Sequence, residues 1–361
     1  MLAALLHGPG DIRVEDIPKP TLSPGEALVR VRSVGVCASD LHFFRHGEIG
    51  GWGFKSPALL GHEWAGEIVE IRPADPSHAV HPASTVAPDD HITLGDVVAV
   101  EPTRPCGECD LCQQGRYNIC RRLRFAGQPP DTGAFCEYAS VPLNRLFRLP
   151  PGVTVEEGAM VEPLAVAVHA VRLAGVTLGS TVGVLGAGAI GLSLIQTAAA
   201  AGARSVYVSD PIASRRDLAR ALGATDVFDP DDGDPAPLVA DRTGGGVDIM
   251  FEASGGLNSP ALAVRWVGAG GTLSLVGIPD EDTLTLPMSF IRRREIVIRT
   301  VRRYCGSFPT SLDLIASGKV NTRIYGTHHF GLQDTLAAFR AAADHPEEVL
   351  RAIVDVPGIQ P

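Results

Sequence analysis

Val182-Gly183-Val184-Leu185-Gly186-Ala187-Gly188-Ala189-Ile190-Gly191 places a short apolar strand pattern directly ahead of three glycines spaced G-x-G-x-x-G. The apolar run that follows, 189–201, reads as a buried helix, so the glycines fall at a strand-to-helix turn. Gly186 permits the tight turn, Gly188 removes a Cβ that would bar a pyrophosphate, and Gly191 lets the helix approach the strand. The free N–H groups and dipole at the helix N-terminus favour that anion. Outward from the turn the rhythm repeats: strand patterns at 181–185, 205–209, 226–228, 248–252, 272–276 and 295–300 alternate with helical stretches that include 214–222 and 259–267. Six strands alternating with helices predict an α/β fold with a doubly wound parallel sheet.

Asp210 closes the second of these strands, where a carboxylate accepts hydrogen bonds from the adenosine ribose of NAD. A 2′-phosphate beside it would be repelled by about 4 kcal/mol for one unit-charge pair at about 4 Å and an effective dielectric of about 20. The expected cofactor is therefore NAD. Arg215 and Arg216 follow, and an arginine there can serve a 2′-phosphate, although both read as ordinary surface residues of the next helix. Ala189, Ile190, Arg215 and Val276 join the three glycines and Asp210 as cofactor-contact candidates.

The first 150 residues have a different character. Residues 26–32 alternate with period two, 67–71 do the same, and 96–100 form a short apolar run, which together predict an irregular β-rich domain. Within it stands Cys106-Gly-Glu-Cys109-Asp-Leu-Cys112-Gln-Gln-Gly-Arg-Tyr-Asn-Ile-Cys120. A short loop with four thiolates at such spacings suits a tetrahedral structural zinc. The alternative, two disulfides, requires an oxidising compartment. The Leu2–Leu6 apolar run lacks a preceding positive charge and turns straight into His7-Gly-Pro-Gly-Asp11, so it is not read as a signal peptide, and a cytoplasmic protein is expected. A formal net charge of -10 argues against nucleic-acid and acidic-membrane partners. The stretch 72–93, rich in Pro, Ala, Asp and His, is predicted to be a long surface loop; His78, His81 and His91 lie in it, with metal binding there the lesser reading.

Two further segments, Gly35-Val-Cys37-Ala-Ser39-Asp40-Leu-His42 and Gly61-His62-Glu63-Trp-Ala-Gly66, flank strand patterns. Cysteine, histidine and carboxylate are the ligand mix of a catalytic zinc that keeps one position open. Singly, each residue is more often structural. Their combination carries the signal.

The Gly61-His62-Glu63 motif, the four-cysteine loop and the dinucleotide fingerprint occur in the order found in zinc-dependent medium-chain alcohol dehydrogenases. Within that family, Gly115-Arg-Tyr-Asn118, Pro129-Pro-Asp-Thr-Gly133, Glu156-Glu-Gly-Ala-Met-Val-Glu162-Pro-Leu164 and Arg303-Tyr304-Cys305 resemble the sorbitol and xylitol dehydrogenase branch. The resemblance implies a Rossmann domain over 164–300 and a GroES-like catalytic domain over 1–163 and 301–361. It implies two zinc ions per chain: a structural one on Cys106, Cys109, Cys112 and Cys120, and a catalytic one held by Cys37, His62 and Glu63 with a water. Glu162 resembles the carboxylate that bonds the zinc water or replaces a ligand, and which of Glu63 and Glu162 completes the inner shell stays open. Ser39 and His42 resemble a proton relay, and Arg303 with Tyr304 a pair contacting a polyhydroxylated substrate.

The implied reaction is reversible oxidation of a secondary hydroxyl of a polyol to the ketose with NAD, in a homotetramer whose partners are small molecules. The alternatives are a family member acting on threonine or a simple secondary alcohol and, more remotely, a non-catalytic NAD- and zinc-binding protein. Two features depart from the branch: Phe43 stands where many sorbitol dehydrogenases have tyrosine, and the 72–93 loop is longer.

Overall fold

The computed structural model describes residues 1–49, 52–53, 57–74, 92–279, 281 and 283–356; His78, His81 and His91, and most of the predicted 72–93 loop, lie outside these. The chain forms two units, one of Met1–Glu162, Phe308–Ala316 and Thr322–Pro361, the other of Pro163–Ser307 and Ser317–Asn321.

The elements that place the functional residues follow in chain order. The first unit supplies strands β1 (Glu26–Gly35), β2 (Glu63–Arg72), β3 (Val97–Val100), β4 (Tyr138–Pro142) and β5 (Leu146–Arg148), with helix α1 (Ala38–His46) between β1 and β2 and helix α2 (Val155–Ala159) after β5. Helix α3 (Val161–Ala174) leads into the second unit, with strands β6 (Thr181–Leu185), β7 (Ser205–Ser209), β8 (Asp226–Phe228), β9 (Val247–Glu252), β10 (Val267–Leu275) and β11 (Val297–Thr300), and helices α4 (Ala189–Ala200) and α5 (Ala213–Ala221). The return adds β12 (Gly326–Gly331), α6 (Thr335–Asp344) and β13 (Arg351–Asp355).

In the first unit the sheet runs β5-β3-β2-β1-β13-β12, with β4 also paired to β1. Along β1 one face is packed throughout, with Ala27, Val29 and Val31 fully buried, while on the other Arg30 and Arg32 stay partly exposed between buried Leu28 and Val34. The core beneath includes Trp64, Ile68, Phe135 and Phe339, and Phe43 is buried in it. β13 pairs antiparallel with β1, with Ile353 opposite Gly35. That register brings Arg351, near the start of β13, toward the chain that leaves β1 for Cys37.

The second unit is a six-stranded sheet ordered β8-β7-β6-β9-β10-β11, parallel throughout. This is the doubly wound Rossmann sheet that the strand and helix rhythm predicts, with the order reversing beside β6. The predicted 259–267 helix is shorter than expected: it ends at Ala263, passes through a 3-10 turn at Val264–Trp266 and becomes strand at Val267. Val264, Trp266 and Val267 are buried, so the residues that looked like a helical face are a buried junction in the core.

Candidate active site and metal centres

Cys37 ends the excursion from β1, and its backbone N–H, an orphan donor at the start of α1, is accepted by Asp40 Oδ2 at 3.0 Å. The other oxygen of Asp40 lies 3.3 Å from His62 Nδ1. One buried carboxylate therefore fixes both the helix start and the imidazole. His62 keeps Nε2 directed to the other side, where Ser39 Oγ stands at 3.4 Å. Glu63 is the first residue of β2. One ligand atom from each of Cys37, His62 and Glu63 falls within 4.8 Å of the others, with His62 and Glu63 buried. Burial pulls the imidazole down, but the charges of Asp40 and Cys37 outweigh it and His62 is raised well above its ordinary value. Burial, helped by the Glu63 charge, pushes the Cys37 thiol up. A thiol, an imidazole and a carboxylate crowded together out of water fit a divalent cation, which would compensate the clustered negative charge.

Glu63 has a buried counter-charge as well. Arg351 Nη2 lies 3.2 Å from Glu63 Oε1, and its Nη1 donates to the carbonyl of Val36 at 3.0 Å. Glu162, in the first turn of α3, is also buried and its charge acts on Arg351. The site is tightly built: a Cβ on Gly35 would stand 2.6 Å from Glu63 Oε2 and 2.8 Å from Met160. His42 lies one turn beyond Ser39 on α1, its ring 6.0 Å from that of His46. Asp40 and Arg351 were not among the predicted site residues. An arginine in the otherwise apolar run Arg351-Ala-Ile-Val was a usable signal, because a charge in a core strand needs a partner.

In the four-cysteine loop, Cys106 Sγ lies 4.0 Å from Cys112 Sγ and 3.4 Å from Cys120 Sγ, and Cys109 Sγ lies 3.9 Å from Cys120 Sγ. Four sulfurs about 2.3 Å from a tetrahedral zinc stand about 3.8 Å apart, whereas a disulfide needs about 2.05 Å. All four are free thiols, and the spacing is that of metal ligands. The N–H groups of Glu108 and Cys109 bring the Cys106 thiol down to about 6. Beneath the loop, Arg145 stacks over buried Tyr117 at 5.2 Å and pairs with buried Glu101 at 2.9 Å.

The second unit carries the dinucleotide turn. Gly186 has φ 96, and a Cβ there would stand 2.8 Å from Ser254 N; one on Gly191 would stand 1.8 Å from Gly186 O. Gly188, the N-cap of α4, faces open space, which leaves room for a pyrophosphate at the helix start. Asp210 Oδ2 accepts the N–H of Ala187 in the glycine loop at 2.7 Å, and Oδ1 that of Ile212 at 2.9 Å. Each oxygen retains a lone pair for a ribose hydroxyl. Val276 follows β10, its N–H given to Glu252 O. Arg303 and Tyr304 belong to this unit; Arg303 adopts φ 50, and Tyr304 is fully buried. This left-handed conformation is uncommon for a residue other than glycine, and Glu295 shares it.

Residues 23–151 match the alcohol dehydrogenase GroES-like domain and residues 189–317 the zinc-binding dehydrogenase domain. Sorbitol dehydrogenase of Bos taurus is 38% identical over 344 residues, covering 94% of this chain and 92% of its own. The chain belongs to the zinc-dependent medium-chain alcohol dehydrogenases, in the polyol branch. Sorbitol dehydrogenase of Bacillus subtilis is 34% identical, with 98% of this chain and 97% of that one covered. Among solved structures, 2R,3R-butanediol dehydrogenase from Bacillus subtilis superimposes with a TM-score of 0.86 at 31% identity, covering 99% of both chains. A zinc-binding dehydrogenase from Sinorhizobium meliloti, bound to NADP, gives the same TM-score and identity over 98% of both. This dehydrogenase is thus an oxidoreductase that uses zinc and a nicotinamide dinucleotide, built from a Rossmann and a GroES-like domain.

Proposed function

We propose that this dehydrogenase reversibly oxidises a secondary hydroxyl of a polyol such as sorbitol or xylitol to the ketose, with NAD as hydride acceptor. The observation that carries the reading is the convergence of Cys37, His62 and Glu63, in a chain that aligns almost end to end with sorbitol dehydrogenases. These three residues would hold the catalytic zinc, which when bound supplies a Lewis acid that lowers the pKa of an attached hydroxyl. Asp40 keeps the His62 ring turned with Nε2 outward. Ser39 offers its hydroxyl beside that nitrogen as the first station for a departing proton, with His42 the next; Glu162, buried near Arg351, is the other acceptor. Arg303 and Tyr304 are proposed to bind the further hydroxyls of the substrate. NAD is preferred because Asp210 presents a carboxylate where NADP would carry its phosphate.

A simple secondary alcohol or diol is the second reading, favoured by the likeness to the butanediol dehydrogenase. The assembly proposed is a homotetramer, to be checked by light scattering. β11 is consistent with association of two copies: among the described residues it is the edge of the sheet, and all of its residues, Val297 and Ile298 included, are exposed. The proposed compartment is the cytoplasm; among the described residues no helix is long and apolar enough to cross a membrane.

The test is NADH formation at saturating NAD with xylitol, sorbitol, ribitol, L-arabinitol, threonine and 2,3-butanediol. Turnover led by the polyols supports the reading. Faster turnover of threonine or the butanediol replaces it with the second.

A further inference from the structure

Arg216 lies one turn of chain beyond Asp210, where an arginine fork can grip a 2′-phosphate. Both of its terminal nitrogens are already engaged. Nη1 donates to the carbonyl oxygens of Asp210 at 2.7 Å and Pro211 at 2.8 Å, and Nη2 meets Asp229 Oδ2 at 2.6 Å. The pair is largely withdrawn from water, with side-chain exposures of 15% and 24%. Asp229 directly follows β8, the strand paired with β7, and the N–H of Asp210 is given to Phe228 O at 3.3 Å across the same junction. Asp229 is itself fixed, since its Oδ1 accepts the N–H of Asp231 at 3.1 Å.

We propose that Asp229 is a positioning residue for cofactor selectivity: it holds Arg216 against the backbone and neutralises it, and so denies the phosphate of NADP a cationic partner. The inference rests on the NAD reading above and deepens it. In dinucleotide sites of this fold a carboxylate after the second strand serves the ribose hydroxyls of NAD, and a nearby arginine accommodates the phosphate of NADP. Here both residue types are present, so the outcome turns on whether the arginine is available. Asp210 repels the phosphate, and Asp229 removes the group that would offset the repulsion. Two carboxylates thus act on one choice, one directly and one through Arg216.

The experiment is fluorescence titration of NADH and NADPH into the wild-type protein and the Asp229→Ala, Asp229→Asn and Asp229→Ala/Arg216→Ala variants, read as the ratio of the two Kd values. The wild-type ratio alone tests the NAD reading: equal affinities would end it. The change in ratio tests Asp229. In Asp229→Ala the preference for NADH should fall about tenfold, as expected for one unmasked charge near a phosphate. Asp229→Asn, which keeps the shape and loses the charge, should move the ratio in the same direction, and the double variant should return it to the wild-type value. An unchanged ratio in both single variants, or a shift that survives removal of Arg216, would overturn the role of Asp229 whatever the wild-type preference. Melting curves of each variant identify any that is unfolded; if Asp229→Ala is, Asp229→Asn and its Arg216→Ala combination decide.

Discussion

Asp40 ties two parts of the proposed catalytic centre together with one buried carboxylate: the N–H of Cys37 at the start of α1, and Nδ1 of His62. Asp40→Asn keeps the shape but loses the charge that orients His62, and partners of metal-binding histidines are typically worth about 10–100-fold in metal affinity or activity. A loss in that range is expected for polyol turnover, with NADH affinity retained as the control. Arg351 is the second such residue. Replacing it with methionine leaves Glu63 buried without its counter-charge, and breaking a pair of this kind costs about 3–5 kcal/mol; urea unfolding should show it, and added zinc should restore part of the loss. Arg351 carried a sequence signal as a charge in an apolar run, but not one that tied it to this site, and Asp40 carried none. Cys37, His62 and Glu63 stood out by residue type, but Arg351 reaches them only through the pairing of β13 with β1, a contact between chain ends that no local pattern encodes.

At the scale of elements, the glycine turn was the easiest feature to read because its constraints are local. Gly191→Ala places a methyl 1.8 Å from the Gly186 carbonyl oxygen, a backbone atom that cannot step aside. NADH affinity should fall at least about tenfold, since helix and strand must separate at the pyrophosphate turn. Helix α2 gives a second test. Thr154 caps it by accepting the N–H of Glu157, while the Glu157 carboxylate accepts the Thr154 N–H at 2.8 Å and Arg323 Nε at 3.0 Å. Burial alone would raise the Glu157 carboxyl, but Arg323 and the Thr154 N–H outweigh it and hold the group below its ordinary value. A depressed carboxylate stabilises above its unfolded pKa, and that contribution is lost as pH falls through the folded one. Glu157→Gln should therefore cost about 1 kcal/mol at neutral pH, and its difference from wild type should shrink as pH falls below the ordinary carboxylate range and on through the depressed folded value of Glu157. The 259–267 segment was harder to read. Its apolar residues suit helix and strand alike, and only the packing of Trp266 and Val267 in the core decides for a turn and a strand.

For the whole molecule, the two metal groups have different dependencies. The four-cysteine loop rests on the first unit through Arg145, Tyr117 and Glu101, so a domain with its own core should survive loss of that ion. Cys109→Ser should loosen the loop and make it sensitive to proteolysis, with far-ultraviolet circular dichroism and NADH binding close to wild type. The group of Cys37, His62 and Glu63 is the one on which the proposed reaction would depend. The most direct measurement is zinc content by mass spectrometry together with polyol-dependent NADH formation, made on the same samples of wild type, Cys37→Ser and Cys109→Ser. The proposed role of Cys37 predicts two zinc ions per chain in wild type, one in each variant, and turnover abolished by Cys37→Ser alone while NADH still binds. Cys37→Ser protein that retains the full zinc content, or turns over polyol at a comparable rate, would contradict it.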